Sequence, residues 1–317
     1  MDIKAIIDAK NEVISKYGPW HVNNVGLKDD VYTMGPSIVG DEIKLRRVVQ
    51  CVLDHTGGTV EGLRILDLGC GEGIYSIEFA RRGASCVAIE GREPNAEKVR
   101  FVKRVLSLDD LEVLQDDVRN LSAAKYGYFD VVLCLGILYH LPAPEVFDFV
   151  ATLHEVCRKI CIVDTRVMLR PNTRYVSNRA TYHGSWGEEH WPGDSKEVKL
   201  ARLGASLDNE TNFWLSRPSV YNLLCNVGFT SVYECHIPAE PKKPGDRLTF
   251  FAIKGQPCHL LSAPLMAMQP CDGMPERPVL EHRKTFYVLR SMSHLLPWRA
   301  RRFSKRLLGM DRSLRGI

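Results

Sequence analysis

Asp67, Glu90 and His140 each stand at or just before the end of a short apolar run, and that placement gives their chemistry a direction. Asp67 lies in Leu66-Asp67-Leu68, which runs into Gly69-Cys70-Gly71-Glu72-Gly73 and then a helical pattern. Glycines at 69, 71 and 73 let the backbone come close to a ligand where a Cβ would collide. A helix N-terminus behind such a turn suits a nucleotide-like ligand. Glu90 ends a second apolar run about twenty residues on, a spacing at which an acid accepts hydrogen bonds from ribose hydroxyls. His140, with Tyr139, caps the run that begins at Phe129. An imidazole there can take a proton from a hydroxyl near neutral pH, or it can do no more than pack and orient a substrate.

These residues need strands to carry them and helices to cover the strands. From Gly62 the pattern alternates between the two: strand 64–69, helix 73–83, strand 85–90, helix 94–106, strand 111–115, strand 129–134, helix 144–157 and strand 159–164. After helix 217–227 two runs, 231–236 and 248–254, follow with no helix between them, which suggests a hairpin and an antiparallel strand near one edge. Apolar strands in βα alternation predict an α/β fold, a mostly parallel sheet covered on both faces. Two amphipathic helices, 2–16 and 41–55, precede the first strand. Between them Gly18-Pro19-Trp20-His21 forms an aromatic turn, so Trp20 and His21 are candidates for substrate contact, with simple packing as the alternative. About fifty residues after Asp164 show no clear periodicity but hold Tyr175, Tyr182, His183, Trp186, His190, Trp191, Phe213 and Trp214. So aromatic a stretch reads as an insertion covering a substrate, or as a structural flap or dimer contact. Trp214 and Arg217 are its candidate substrate residues.

The glycine turn is not a dinucleotide fingerprint, because the third glycine of G-x-G-x-x-G would fall on Ile74. G-x-G-x-G after Asp67-Leu68, Glu90, and Phe129-Asp130-Val131-Val132 leading to Leu138-Tyr139-His140 together resemble the class I S-adenosylmethionine (SAM)-dependent methyltransferases over residues 64–255. That resemblance implies a Rossmann-like, seven-stranded sheet with SAM as cofactor. It places the cofactor against Asp67, Gly69, Cys70, Gly71, Glu90, Gly91, Asp117, Val118 and Leu135, with Asp117 (or its neighbour Asp116) on the adenine amino group. His140 becomes the candidate base, and Tyr139 a hydrogen-bond partner or a ring face toward the sulfonium. The organisation it suggests is a helical cap at 1–60, a SAM-binding core at 61–165, an aromatic insertion over the active site at 166–215, the end of the core sheet at 216–255 and a basic extension at 256–317. A cation-dependent reaction is not expected, since no His/Cys set has ligand spacing and Asp164 is followed by Thr165-Arg166. The sequence around Leu135–His140 and Asn212–Ser219 is also similar to the bacterial tRNA wobble-uridine carboxymethyltransferases. It departs from them at Glu90-Gly91-Arg92, where that family has an acid followed by Pro. The same features look like methyltransferases of sugar and secondary-metabolite pathways. The favoured expectation is therefore O-methylation of a small molecule, with tRNA modification as the alternative.

Composition is that of a soluble globular protein, 45% apolar and 25% charged, with no apolar run near membrane-spanning length and no signal-peptide pattern. Ten scattered cysteines without C-x-x-C pairs favour reduced thiols and a cytoplasmic setting. Charge is uneven: residues from His282 onward carry +9, leaving −5 on the rest of a chain whose total is +4. Within that tail Ala300, Phe303, Leu307, Met310 and Leu314 recur at helical spacing among arginines. Such a helix can dock on the domain, lie peripherally on an anionic membrane, or bind RNA phosphates. Oligomeric state is not legible.

Overall fold

A computed structural model describes residues 2–36, 42–238, 240, 244–258 and 260–262. The chain opens with α1 (Ile3–Tyr17), which Asp2 caps through its carboxylate on the Ala5 amide. A two-stranded ribbon, β1 (Gly26–Lys28) with β2 (Val31–Tyr32), and α2 (Glu42–His55) follow. The alternating region then supplies β3 (Arg64–Leu68), α3 (Ile74–Arg81), β4 (Ser85–Glu90), α4 (Glu93–Leu106), β5 (Leu111–Gln115), α5 (Ala123–Tyr126), β6 (Phe129–Leu135), α6 (Glu145–Val156) and β7 (Cys157–Arg166). After an insertion come α8 (Arg217–Asn226), β11 (Ser231–Glu234) and β12 (Arg247–Ile253).

Seven strands form one sheet in the order β11-β12-β7-β6-β3-β4-β5. The five from β5 to β7 pair in parallel, and β12 runs antiparallel to both β7 and β11. This is the Rossmann-like sheet the sequence predicts, hairpin included. Buried side chains alternate between its two faces, as period-2 strand geometry requires. Leu66, Leu68, Val132 and Cys134 pack toward α6 and α8 with Phe147, Val150, Leu153 and Leu224. Ile65, Val131, Leu133 and Ile162 pack the other way, with Ile6, Val48, Val52, Phe79 and Phe101 of the first four helices.

The insertion is where sequence and structure part. Residues read as aperiodic form a three-stranded antiparallel sheet of β8 (Thr173–Ser177), β9 (Ala180–Glu188) and β10 (Thr211–Leu215), plus the short helix α7 (Lys196–Ala201). Asn178 and Arg179 turn β8 into β9, both with positive φ, a hairpin turn that Asn-Gly usually announces. With Arg in the second place the signal is silent. Part of the aromatic content is core: Phe147 of α6 packs against Tyr175, Tyr182 and Phe213 with ring centroids 5.0–6.3 Å apart, whereas Trp186 and Trp191 are exposed.

The glycine turn also anchors the N-terminal segment. Glu72 is buried and accepts the backbone amides of His21, Val22 and Asn23 at 3.1, 3.0 and 2.9 Å, while the buried Lys98 ammonium lies 3.1 Å from it. The same ammonium donates to the Pro19 carbonyl at 2.7 Å. Removing the carboxylate would strand a buried cation and three amides. Glu72→Ala is therefore expected to lower the unfolding free energy by about 3–5 kcal/mol in a urea titration. Glu72→Gln, which keeps one acceptor oxygen, should lose less.

Candidate active site

Side chains at the carboxyl edge of β3, β4 and β6 enclose two adjoining cavities that share Gly69, Gly71, Gly136, His140 and Leu203 in their walls. The smaller, about 170 Å³, lies against Glu90, Gly91, Asn95, Asp117 and Val118. Its roof is the segment 203–209 of the insertion. The larger, about 570 Å³, lies against Asp67, Tyr139, Asp164 and Arg247, with Val22, Asn23 and Lys44 of the N-terminal region closing one side.

Backbone geometry makes the smaller cavity a cradle. Gly71 sits at φ +57° with nothing within 4 Å of where a Cβ would stand, so any side chain there would enter the cavity. Glu90 is buried; its Oε2 accepts the Gly71 amide at 2.8 Å and its Oε1 the Arg92 amide at 2.9 Å. Asn95 adds a side-chain hydrogen bond to the same carboxylate, which still has acceptor capacity for a hydroxyl. Burial pushes the Glu90 carboxyl up, against the pull of the two backbone amides. Asn95 Oδ1 is buried in the same wall and accepts no hydrogen bond among the described residues. The choice between the two neighbouring acids is made by side-chain partners. Asp116 is tied to Lys125, Tyr126 and Asn120, which hold its carboxyl low against the opposing effect of burial, whereas Asp117 lines the cavity and is braced by Arg119.

In the larger cavity the floor is charged. Asp164 is fully buried and accepts Arg247 Nε at 2.6 Å and Thr249 Oγ1 at 2.7 Å, with Lys44 Nζ 3.9 Å away. Burial would raise its carboxyl, but Lys44 and Arg247 hold it below the usual range. Among the described residues Asp67 has no such cation. It accepts the Ser76 amide at 3.1 Å, and burial outweighs the bonds from Ser76 to push its carboxyl up to about 7.

His140 stands in a 3-10 turn (Leu138–His140) beyond β6, at the seam of the two cavities. Its Nδ1 lies 2.9 Å from Glu189 Oε1, and Glu189 also accepts Asn212 Nδ2 at 2.5 Å and the Ser206 amide at 2.7 Å. Burial works to raise the Glu189 carboxyl, but its hydrogen bonds, led by that from His140, bring it below the ordinary value, so the group is an anion. An anion has no proton to give, so Nδ1 carries the hydrogen, and in the neutral ring the lone pair is then on Nε2.

The structure thus brings together Asp67, Gly69, Gly71, Glu90, Gly91, Asp117, Val118 and His140, and sets Cys70, Leu135 and Tyr139 in the larger cavity. The four substrate candidates from sequence lie outside both linings. Trp20 is buried against Phe101, beside the Lys98 ammonium, and serves packing. His21 holds on to Glu72, leaving the neighbouring Val22 and Asn23 to face the cavity. Trp214 stands behind Tyr139, edge-on at 5.9 Å. Arg217 pairs with Glu234 of the edge strand β11. Residues that sequence reasoning missed are Glu189, Arg92, Asn95, Lys44, Arg247 and the 203–209 roof. None sits in a local motif; only the acid of Gly187-Glu188-Glu189 hinted at a partner for a histidine.

Residues 65–159 match a family model described as a methyltransferase domain (Methyltransf_25). The ubiquinone biosynthesis O-methyltransferase of Acinetobacter baumannii (strain AYE) is 33% identical over 92 residues, 29% of this chain and 39% of the relative. The protein of that description from Neisseria meningitidis serogroup A is 34% identical over 118 residues, 36% and 47% of the two chains. The chain therefore spans less than half the length of these curated relatives. Among solved structures, the N-terminal domain of EvdMO1, crystallised in the presence of S-adenosylhomocysteine (SAH) and D-fucose, superposes with a TM-score of 0.60 at 24% identity. It covers 80% of this chain and 97% of that domain, which is a likeness of fold.

The raised Asp67 carboxyl has a consequence for stability. Unfolded, it would lose its proton near its ordinary value of 3.8; folded, it holds the proton up to about 7. The folded state binds the extra proton in that window, so this group's contribution falls as pH rises through it. Asp67→Asn cannot titrate, and its stability relative to the parent protein should rise between about pH 4 and about pH 7 in paired urea titrations.

Proposed function

We propose that this protein, whose residues 65–159 are a class I SAM-dependent methyltransferase domain, methylates a hydroxyl group on a small-molecule acceptor held in the larger cavity. The observation that carries this reading is His140 at the seam of the two cavities, with Glu189 on Nδ1, which in the neutral ring leaves the lone pair to Nε2. The residues present fit SAM. Gly71 leaves room for it, Glu90 keeps acceptor capacity for the ribose hydroxyls, and Asn95 and Asp117 supply polar atoms at the far end. Asp67 lies where a positive charge on the methionine portion would favour its ionised form.

When bound, the cofactor supplies a methyl group on a positively charged sulfur. With the cofactor bound as methyl donor, His140 Nε2 would take the proton that the acceptor hydroxyl gives up on methylation. Glu189 lies against the resulting imidazolium. Tyr139, beside the His140 ring at 4.2 Å, narrows the cavity around the acceptor. Closure by Asn23, Lys44 and Leu203 keeps water away and holds the two reactants in contact, and proximity supplies much of such a rate enhancement. A cavity of about 570 Å³ suits a compact acceptor of the sugar or secondary-metabolite kind rather than a folded RNA. The basic stretch from His282 onward, the candidate for RNA or membrane binding, lies outside the described residues. Among the described residues no helix is long and apolar enough to cross a membrane.

Two measurements test this. In calorimetry, Gly71→Val should abolish SAM binding while costing about 1–2 kcal/mol of stability for its left-handed backbone. In a mass-spectrometric screen of hydroxylated acceptors, a product one methyl heavier is expected. His140→Asn should lower its rate by about 10²–10⁴ with SAM affinity kept, and an unchanged rate would remove the base.

A further inference from the structure

We infer that Glu189 is a positioning residue that couples seating of the 200–209 strap over the cofactor cavity to the orientation of His140. The inference rests on the function proposed above and extends it to a residue outside both cavity linings.

Glu189 lies just past the end of β9 and divides its two oxygens between two tasks. Oε1 takes His140 Nδ1 and Asn212 Nδ2, while Oε2 takes the Ser206 amide. Ser206 belongs to the strap that roofs the smaller cavity with Leu203, Ala205, Leu207 and Asn209. A second link runs the other way, from Asn209 Nδ2 to the His140 carbonyl at 3.0 Å. The strap's outer anchor is Arg92, whose guanidinium donates to the carbonyls of Leu200, Arg202, Ala205 and Ser206 at 2.9–3.1 Å. Arg92 adjoins the ribose-binding acid, since its own amide donates to Glu90.

The consequence is mechanical. A carboxylate that must satisfy a ring N–H and a strap amide together is fully bonded only when the strap is down. The strap packs onto the cradle, since Leu207 lies directly over Gly91, where a Cβ would meet Leu207 Cδ1 at 2.4 Å, and in this reading cofactor exchange lifts it. Lifting it takes the Ser206 amide from Glu189 and the Asn209 amide from the His140 carbonyl. The base is therefore aligned when the cofactor cavity is closed, which confines proton removal to the loaded site.

The test reads the His140 ring rather than turnover. The full chain labelled with [15N]histidine is examined by nitrogen–proton correlation NMR with SAH bound, and His140→Asn identifies the ring signals. The parent protein should show the Nδ1–H tautomer. Glu189→Ala should give a mixture of tautomers and weaken SAH binding about tenfold in calorimetry. Arg92→Leu, which does not touch His140, should move the ring signals toward those of Glu189→Ala. Circular dichroism confirms folding, and Glu189→Gln is the milder variant should alanine fail to fold; it too should weaken SAH binding. A ring spectrum unmoved by Arg92→Leu, or SAH affinity unchanged in the Glu189 variants, would overturn the coupling. Failure of the base itself would show separately, as methyl transfer undiminished in His140→Asn.

Discussion

A carboxylate taken out of water must find donors inside the protein, and that constraint shapes everything at the carboxyl edge of this sheet. Glu72, Glu90, Asp67 and Asp164 are all buried there. Each is satisfied by a different part of the chain. Glu72 draws in the backbone of His21–Asn23, and Glu90 draws Gly71 and Arg92 together. Asp67 holds the start of α3, and Asp164 gathers Arg247 and Thr249 from β12. The walls of both cavities are made largely of the segments these acids recruit, so binding geometry and burial chemistry share one origin.

Glu189 repeats the device one layer further out. It is an acid of the insertion whose donors are His140, the strap and β10. Through it the insertion does two things a covering flap alone would not. It selects the tautomer of His140 and registers whether the cofactor cavity is roofed. The difference between Asp67 and Asp164 follows the same logic. Both are buried near strand ends, but among the described residues only Asp164 has cations beside it, so one carboxyl is pushed up and the other held down.

Much of the scaffold is legible in the residues alone. Strands from Arg64 to Arg166 and helices α1, α2, α4 and α6 fall within one to three residues of their expected bounds, because apolar period and glycine punctuation are local properties. The final hairpin is legible for the same reason. The insertion is not, since its β8–β9 turn uses Asn178-Arg179, and part of its aromatic content joins the core beside Phe147 instead of facing a ligand. Trp20, His21, Trp214 and Arg217 mislead for a related reason. Aromatic and basic side chains look alike in sequence whether they pack, pair or bind, and only their neighbours tell which.

By itself the sequence determined the order of the strands of the main sheet and the positions of Asp67, Gly71, Glu90, Asp117 and His140 at or near strand ends, since those follow from residues adjacent in the chain. Tertiary structure alone decided which acid meets which donor. Glu189 reaches His140 across 49 positions, and Arg92 reaches Ser206 across 114. No local pattern encodes such pairings. They exist because folding removes water from those groups and leaves each only the partners that the fold brings near.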